Sequence, residues 1–184
     1  KDFDPLPYFD GNAKEARRCD RFAQFAFAAA AEAIDQAGDF ISDPSRCGSW
    51  VGTGVGGLKS LEEQIHVLSE KGPRRVSPFL IPMMMANAAS AGISMRYGLQ
   101  GPSETTVTAC AAGTHSIGRA ADLIRNGSCD VMVTGGAEAT LTPIGLQGFI
   151  NMTAVSSSGI SRPFDADRDG FVIAGGGGVL VLEE

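Results

Sequence analysis

The segment from residue 105 to residue 127 constrains the fold most, because it predicts a strand, a tight turn and a helix in direct succession. The β-branched residues 105–108 favour an extended backbone, and the small residues 111–113 favour a tight turn. Apolar residues then recur at helical spacing until Asn126-Gly127, a pair that ends helices. A strand followed at once by a helix is the repeating unit of an α/β fold. The same pattern places Cys110 at the junction of the two elements.

Cys110 is the candidate nucleophile of this sequence. At the start of a helix, unpaired N–H groups and the positive end of the helix dipole stabilise a thiolate. Such an environment lowers the pKa of a thiol from about 8.5 by one unit or more. The small neighbouring residues leave room for a substrate carbonyl to reach the sulfur. The alternative is that Cys110 is a buried and inert thiol, which is the usual state of cysteine in proteins.

The composition is typical of one globular domain and argues against two classes of function. The chain has 184 residues, of which 43% are hydrophobic and 20% are charged, so it can bury a core. A formal net charge of −6 argues against a nucleic-acid partner, because such a partner requires a basic surface. The richest apolar stretch, 79–91, is interrupted by Pro82 and Asn87, so we expect no membrane insertion.

The cysteines and the chain ends predict the cellular context. Cys19, Cys47, Cys110 and Cys129 are far apart and form no C-x-x-C pair. This spacing predicts free thiols in a reducing compartment, and therefore a cytoplasmic protein without a zinc site. We expect no signal peptide at the first residues. The last residues, 179–184, resemble a buried strand, so we expect a chain that is incomplete at both ends.

Helices and strands alternate along the rest of the chain. We predict helices from Asp20 to Gly38, from Leu58 to Gly72 and from Pro82 to Gly98, and further strands at 47–52 and 130–134. Residues 156–159 are predicted to form an exposed loop tip, and the apolar runs 170–174 and 178–182 to form a β-hairpin. The fold class is therefore α/β, and it closes on an antiparallel pair of strands.

Two motifs resemble ligand sites without fulfilling their requirements. Gly52–Gly57 has the glycine spacing of a dinucleotide fingerprint, but no acidic residue follows about twenty positions later on a second strand. A tight turn packed against a site is the favoured interpretation. Asp165–Gly170 matches the first half of a calcium loop, but Gly176 stands where a bidentate glutamate is needed. Ion pairs of these carboxylates with Arg162 and Arg168 are favoured over calcium binding.

Neither histidine of the chain suits the role of a base for Cys110. His115 lies five residues further along, which is about 140° away around a helix axis. His66 falls among polar neighbours on a predicted helix and is interpreted as a surface residue. A cysteine acyltransferase normally needs a histidine. Either Cys110 is inert, or its partners lie on sequence outside this chain.

Seven segments resemble the beta-ketoacyl synthases, the condensing enzymes of fatty-acid synthesis. They occur in family order across the whole chain. They are Lys14–Phe22, Val51–Leu58, Val76–Phe79, Tyr97–Pro102, Val107–Gly113, Gly135–Glu138, and the run from Ser161 to Val172. The resemblance implies a thiolase-like α/β/α/β/α sandwich made of two similar halves. Residues 1–184 then represent the N-terminal beta-ketoacyl synthase domain, which is most of the first half.

The resemblance also implies the site residues. Cys110 matches the acyl-accepting cysteine of the family, and its backbone N–H matches one oxyanion-hole donor. Val55 falls at the gate of the fatty-acyl pocket, and Met85, Ala109 and Phe149 fall on its lining. Residues 79–85 are expected at a dimer interface. The two histidines that activate malonyl decarboxylation belong to the second half of the family sequence, which accounts for the missing base.

The implied reaction is a decarboxylative Claisen condensation. An acyl thioester on a carrier protein, linked through phosphopantetheine, condenses with malonyl-carrier protein to give 3-oxoacyl-carrier protein. The resemblance implies a homodimer and neither a metal nor a cofactor. A polyketide ketosynthase or a thiolase of the same fold remains an alternative, as does a non-catalytic truncated fragment. One departure is Gly175, which stands where the family usually has an acidic residue.

Overall fold

The computed structural model describes residues 3–184, and within them four β-strands and seven α-helices follow one another along the chain. In chain order they are α1 (Ala13–Ala16), α2 (Arg21–Ala37), β1 (Cys47–Gly52), α3 (Leu58–Lys71), α4 (Leu80–Met84), α5 (Ala88–Tyr97), β2 (Ser103–Glu104), α6 (Ala112–Arg125), β3 (Val131–Glu138), α7 (Pro143–Asn151) and β4 (Gly176–Glu183). Short 3-10 turns occupy Leu6–Phe9, Pro44–Arg46, Pro73–Arg75 and Ala109–Ala111.

The four strands form one mixed sheet in the order β2-β1-β3-β4. β1 is parallel to both β2 and β3, and its register with β3 runs from Cys47 opposite Val131 to Gly52 opposite Gly136. β4 is antiparallel to β3 along the whole of both strands. Because β1 and β3 are parallel, their carboxyl ends meet at the same edge of the sheet, and that edge positions the candidate site.

Helices cover both faces of the sheet and give three layers. α2 and α5 pack on one face, and α6 packs on the other face against β1 and β3. Side chains alternate along β1, so Val51 joins the core with α2 and α5, whereas Trp50 joins Ala120 of α6. All six residues of β1 are buried, as expected for a central parallel strand with helices on both sides.

The first two predicted helices and the helix after Cys110 are confirmed. The Asp20 carboxylate caps α2 by accepting from Phe22 N–H (3.1 Å), and its other oxygen accepts from Ser60 N–H (2.7 Å). One buried carboxylate thus fixes the first turns of both α2 and α3. Gly38 and Gly72 end these helices, and α6 ends at Arg125, directly before Asn126-Gly127.

The predicted strand at 105–108 is wrong, because β2 contains only Ser103 and Glu104. Ser49 N–H bonds Pro102 O and Thr53 N–H bonds Thr106 O, as neighbours in a parallel ladder do. Between them, however, Val51 N–H donates to the Ser90 hydroxyl of α5 (2.9 Å). Ser90 therefore interrupts the pairing at the point where the strand would continue.

Three other predictions need correction. The helix predicted from Pro82 to Gly98 is two helices, since residues 85–87 leave helical geometry between α4 and α5. The predicted hairpin is wrong, because β4 pairs with β3, which extends to Glu138 and offers eight residues of partner backbone. The predicted loop tip at 156–159 is exposed only in part. Ser156 is buried, since its hydroxyl donates to the Asp169 carboxylate (2.7 Å).

Candidate active site at the carboxyl edge of the sheet

The start of α6 lies directly against the carboxyl ends of β1 and β3, and glycines make this approach possible. A Cβ added to Gly52 would collide with the Ala112 carbonyl oxygen and with Ser116 Oγ of α6. A Cβ added to Gly136 would lie 2.9 Å from Gly113 Cα. Backbone thus packs on backbone at this edge, and the first turn of α6 is fixed relative to the sheet.

Cys110 occupies the 3-10 turn that leads into α6, and its side chain is exposed. The residue before it, Ala109, has a left-handed backbone with φ of +52°. This conformation is uncommon for a residue with a Cβ and costs about 1–3 kcal/mol, so the surrounding contacts must hold it in place. An accessible thiol next to a strained residue and a helix start is a suitable arrangement for a nucleophile. The sequence placed Cys110 at this junction but gave no sign of the strain at Ala109.

The glycine turn after β1 is occupied by a carboxylate of the chain itself. Glu138, the last residue of β3, accepts from Gly54 N–H (2.7 Å), Val55 N–H (3.1 Å) and the Thr53 hydroxyl (3.3 Å) through Oε2. Its Oε1 accepts from Ala139 N–H (3.1 Å). In a dinucleotide fingerprint, N–H groups such as these would bind phosphate. Because Glu138 already fills this position, the geometry supports a structural turn. Glu138 ends the family segment Gly135–Glu138, but the sequence pattern indicated no role for it.

Three of the four predicted pocket residues gather around this turn. Val55 is exposed and lies on the turn itself. Ala109 lies beside Gly54, since a Cβ on Gly54 would be 3.7 Å from Ala109 Cα. Gly57 N–H donates to Met84 O (3.2 Å), which brings Met85 and the end of α4 to the same loops. The structure thus brings Val55, Ala109 and Met85 to one loop cluster.

Phe149 lies on a different element, α7. Its ring meets the ring of Phe171 edge to face, with centroids 5.4 Å apart. α7 is joined to α3, because Ile144 N–H donates to the Glu62 carboxylate (3.3 Å). The contact that fixes Phe149 is therefore with the loop around residue 171, and it is not a contact with Cys110 or Val55.

The two histidines lie on different helices, His66 on α3 and His115 on α6. His66 is exposed on α3. His115 Nδ1 lies 2.8 Å from the Thr108 hydroxyl, which makes Thr108 its hydrogen-bond partner.

The predicted alternative to a calcium loop is half correct. Asp169 lies 3.8 Å from Arg162, but Arg168 donates to the backbone oxygen of Asp165 and not to a carboxylate. Hydrogen bonds from the Ser156 hydroxyl, from Ser158 N–H and from two further serine hydroxyls hold the pKa of Asp169 well below its usual value. Across residues 3–184 no three His, Cys, Asp or Glu side chains converge as metal ligands would. Over the same residues no helix is both long and apolar enough to cross a membrane.

Four arginines are exposed in two separate short segments of a chain of net negative charge: Arg17 and Arg18 between α1 and α2, and Arg74 and Arg75 in the 3-10 turn after α3. We call these four residues the exposed arginines. The Arg18 guanidinium stacks on the Phe79 ring, 4.0 Å from its centroid, and so connects this junction with the segment that leads into α4. The same segment continues to Met85 at the loop cluster.

The sequence of this chain is similar to one protein family and to curated members of it. The sequence model of the family described as "Beta-ketoacyl synthase, N-terminal domain" matches residues 1–184. The chain is 48% identical over 191 residues to 3-oxoacyl-[acyl-carrier-protein] synthase 2 of Synechocystis sp., which covers 100% of this chain and 45% of that protein. The Staphylococcus aureus protein of the same name is 46% identical over 176 residues, which cover 92% of this chain and 42% of that protein. The chain therefore spans less than half the length of the curated relatives it matches.

Solved structures confirm the expected fold. One, described as a type II PKS acyl-carrier protein in complex with its ketosynthase bound to the hexaketide, superposes with a TM-score of 0.84 at 28% identity and covers 100% of this chain and 52% of its own. A beta-ketoacyl synthase from Burkholderia phymatum superposes with a TM-score of 0.82 at 30% identity, and the match covers 94% of this chain and 44% of that chain. The mixed sheet with helices on both faces is therefore the N-terminal part of a thiolase-like ketosynthase fold.

Proposed function

Because the chain belongs to the beta-ketoacyl synthase family and represents its N-terminal part, we propose that it carries the nucleophile of a condensing enzyme of fatty-acid elongation. The enzyme joins an acyl-carrier-protein thioester to malonyl-carrier protein and releases 3-oxoacyl-carrier protein and carbon dioxide. One observation carries the proposal: the Cys110 thiol is exposed between the strained Ala109 and the start of α6. An accessible sulfur on a backbone that is held by the packing of α6 on the sheet suits attack on a thioester carbonyl.

The first half-reaction transfers the acyl group to Cys110. The thiolate forms a bond to the carbonyl carbon, and the carbonyl oxygen takes up the negative charge of the tetrahedral intermediate. Backbone N–H groups at the Cys110 turn stabilise this charge, and each such donor contributes about 3 kcal/mol to the transition state. Collapse of the intermediate breaks the bond to phosphopantetheine sulfur, which leaves as a thiolate and takes up a proton. Cys110 then holds the acyl group as a new thioester.

The second half-reaction uses groups that the family resemblance assigns to residues beyond this chain. Cleavage of the malonyl carboxyl group releases carbon dioxide and leaves an electron pair on the α-carbon. That carbon forms a bond to the acyl carbonyl carbon, the bond to Cys110 breaks, and the thiolate is regenerated. Since the activating histidines lie outside these residues, the isolated 184-residue chain is expected to catalyse no condensation.

Four side chains form the acyl pocket in this proposal. Val55 stands at its entrance, and Met85, Ala109 and Phe149 line it. The shared loop cluster of Val55, Ala109 and Met85 supports this assignment. Phe149 lies on α7 against Phe171, and its assignment to the lining rests on the family resemblance.

The partner in this proposal is an acyl carrier protein that presents an acidic face. The exposed arginines, Arg17, Arg18, Arg74 and Arg75, offer charge complementarity both to such a face and to the phosphate of a phosphopantetheine arm. A structural relative is a ketosynthase in complex with its acyl-carrier protein, which supports the same kind of partner here.

We propose that the full protein is a cytoplasmic homodimer. Phe79, Ile81 and Met85 are large apolar side chains that lie together in sequence and are 36%, 60% and 44% exposed. An interface between two copies would cover them, and it would place α4 of one copy next to the pocket of the other.

A polyketide ketosynthase is the second candidate function. The structural relative with a hexaketide and a TM-score of 0.84 favours it. The sequence identities favour fatty-acid elongation, since the proteins at 46–48% identity are 3-oxoacyl-[acyl-carrier-protein] synthases and the polyketide relative is 28% identical.

The test uses the full-length protein that contains this chain and detects acyl-enzyme by mass spectrometry. Incubation with an acyl-carrier-protein thioester is expected to add one acyl group to Cys110, and Cys110→Ala is expected to remove the adduct. Cys19→Ala is the matched control, because burial raises the pKa of the Cys19 thiol to about 11 and keeps it protonated.

An acyl adduct that persists in Cys110→Ala contradicts the proposed nucleophile. Competition between carrier-protein and coenzyme A thioesters then separates a carrier-protein condensing enzyme from a thiolase. Extension of a growing polyketide in place of a fatty-acyl chain would select the second candidate.

A further inference from the structure

Glu138 connects the end of β3 with the glycine turn after β1, and the proposed chemistry needs these two regions in a fixed relative position. It ends β3, and its carboxylate lies at the carboxyl edge of the sheet, where α6 also begins. Oε2 accepts three hydrogen bonds from the turn at Thr53–Val55, at distances of 2.7, 3.1 and 3.3 Å. Oε1 accepts a fourth from Ala139 N–H. All four donors are neutral, so the carboxylate acts as the common acceptor that holds the turn on the sheet.

The turn that Glu138 holds touches the loop cluster on both sides. On one side Gly54 packs next to Ala109, the left-handed residue before Cys110. On the other side a Cβ on Gly56 would lie 3.0 Å from Ala86 Cα, next to Met85. Val55 lies between Gly54 and Gly56 in the turn, and its backbone is held by the hydrogen bond from its N–H to Glu138. A displacement of the turn would therefore move both Val55 and the backbone that presents Cys110.

We propose that Glu138 is a positioning residue for acyl transfer to Cys110, because it fixes the glycine turn against which Ala109 rests. This inference rests on the proposed function. The carboxylate does not touch the reacting atoms. Its effect comes through the position of the nucleophile relative to Val55, and a displacement of about 1 Å at a reacting group costs up to about 100-fold in rate.

The chemistry of the four donors explains why a carboxylate is needed. A glutamine at this position would have one acceptor oxygen, and its NH2 group would face an N–H donor at either the turn or Ala139. At least one buried or half-buried donor would then lose its acceptor, which costs about 1–3 kcal/mol. The turn would relax away from Ala109 to recover solvent hydrogen bonds.

The test compares Glu138→Gln with Asp130→Asn in the full-length protein. Asp130 precedes the first residue of β3, and its carboxylate is bound by Arg46 at the edge of the sheet far from Cys110. Each variant replaces one hydrogen-bonded carboxylate at an end of β3 with an amide. A general loss of stability of the sheet is therefore expected in both variants. The measurements are the single-turnover rate of acyl-Cys110 formation and the rate of Cys110 alkylation by iodoacetamide.

Glu138→Gln is expected to slow acylation at least tenfold, whereas iodoacetamide, which needs little positioning, is expected to react within about twofold of the wild-type rate. Asp130→Asn is expected to keep both rates. If Glu138→Gln fails to fold, Glu138→Asp replaces it, because the shorter side chain keeps the charge but cannot reach all four donors. The same loss of acylation is expected there.

Two outcomes overturn the inference. Equal acylation rates in Glu138→Gln and the wild type would show that Glu138 has no role in positioning. Equal losses in Glu138→Gln and Asp130→Asn would show that the loss follows general damage to the sheet. A failure of the proposed function gives a different result, since the wild-type protein would then be alkylated at Cys110 but would form no acyl adduct.

Discussion

The two ends of the parallel pair β1 and β3 are both joined by a carboxylate, but they leave their cysteines in opposite states. At the amino ends, Arg46 Nε donates to both oxygens of Asp130 (3.1 Å each), and Cys47 and Cys129 are 2% and 1% exposed. At the carboxyl ends, Glu138 binds only neutral donors, and Cys110 is exposed. An ion pair thus joins the amino ends of the two strands around buried cysteines, whereas a hydrogen-bonded turn at the carboxyl ends leaves Cys110 exposed. We call these the closed end and the open end of the strand pair.

Cysteine reactivity is where this contrast is expected to be largest. Burial raises the pKa of both Cys47 and Cys129, so these thiols are protonated as well as covered. Their alkylation requires local opening of the sheet, whereas Cys110 needs none. Iodoacetamide at neutral pH is therefore expected to modify Cys110 at least about 100 times faster than Cys47 or Cys129. Peptide mass spectrometry over time measures all three rates. Similar rates at the two ends would show that the sheet does not protect Cys47 and Cys129.

The packing of α6 on the open end gives the next largest effect. Gly52→Ala puts a methyl group into the Ala112 carbonyl and Ser116 hydroxyl, so α6 must move. We expect a loss of about 3 kcal/mol in the free energy of unfolding. The matched control is Gly118→Ala on the same helix, where a Cβ meets nothing within 4 Å and is expected to add about 0.5–1 kcal/mol. Urea unfolding measures both, and a neutral Gly52→Ala would show that α6 is not held tightly on the sheet.

The Ser90 hydroxyl holds the backbone of β1 and the segment after β2 near the open end. Ser90→Ala removes the acceptor of the buried Val51 N–H and the partner of the Thr105 hydroxyl (2.9 Å). We expect a loss of about 2 kcal/mol and faster hydrogen exchange at the Val51 amide. Ser94→Ala is the control on the same helix. Its hydroxyl bonds that of Ser49, which keeps a second bond to Ser90 O, so we expect about 1 kcal/mol and unchanged exchange at Val51.

The sequence predicted those parts of the molecule that depend on local signals. Helix α2 follows from its cap at Asp20, its apolar periodicity and Gly38, and the position of Cys110 before α6 follows from the change from β-branched to small residues. These features lie within a few residues of the backbone that they determine.

What the sequence could not show depends on contacts between distant segments. The strand at 105–108 is lost because of a hydroxyl on α5, fifteen residues before Thr105. β4 pairs with β3, about forty residues earlier, although the apolar run beside it is a closer candidate. The link between Glu138 and Gly54 spans 84 residues. Single-sequence patterns contain no information on such pairings. For this reason the contacts of Glu138 and Ser90 were missed, whereas the position of Cys110 directly before α6 was predicted.

The smallest expected effect concerns the closed end, where the Arg46–Asp130 ion pair lies at the surface. The Arg46 guanidinium holds the pKa of Asp130 below its usual value, chiefly through hydrogen bonds. A carboxyl group whose pKa is lower in the folded than in the unfolded chain stabilises the fold at any pH above its unfolded pKa of about 3.9. This contribution disappears as the pH falls through the folded pKa. Asp130→Asn is therefore expected to be less stable than the wild type at about pH 6, and the difference is expected to be smaller at about pH 2. Urea unfolding at both pH values measures the difference, in which the other carboxylates cancel. If the difference in the free energy of unfolding is independent of pH, the ion pair does not stabilise this end. Packing around Cys47 and Cys129 then holds the two strands together there.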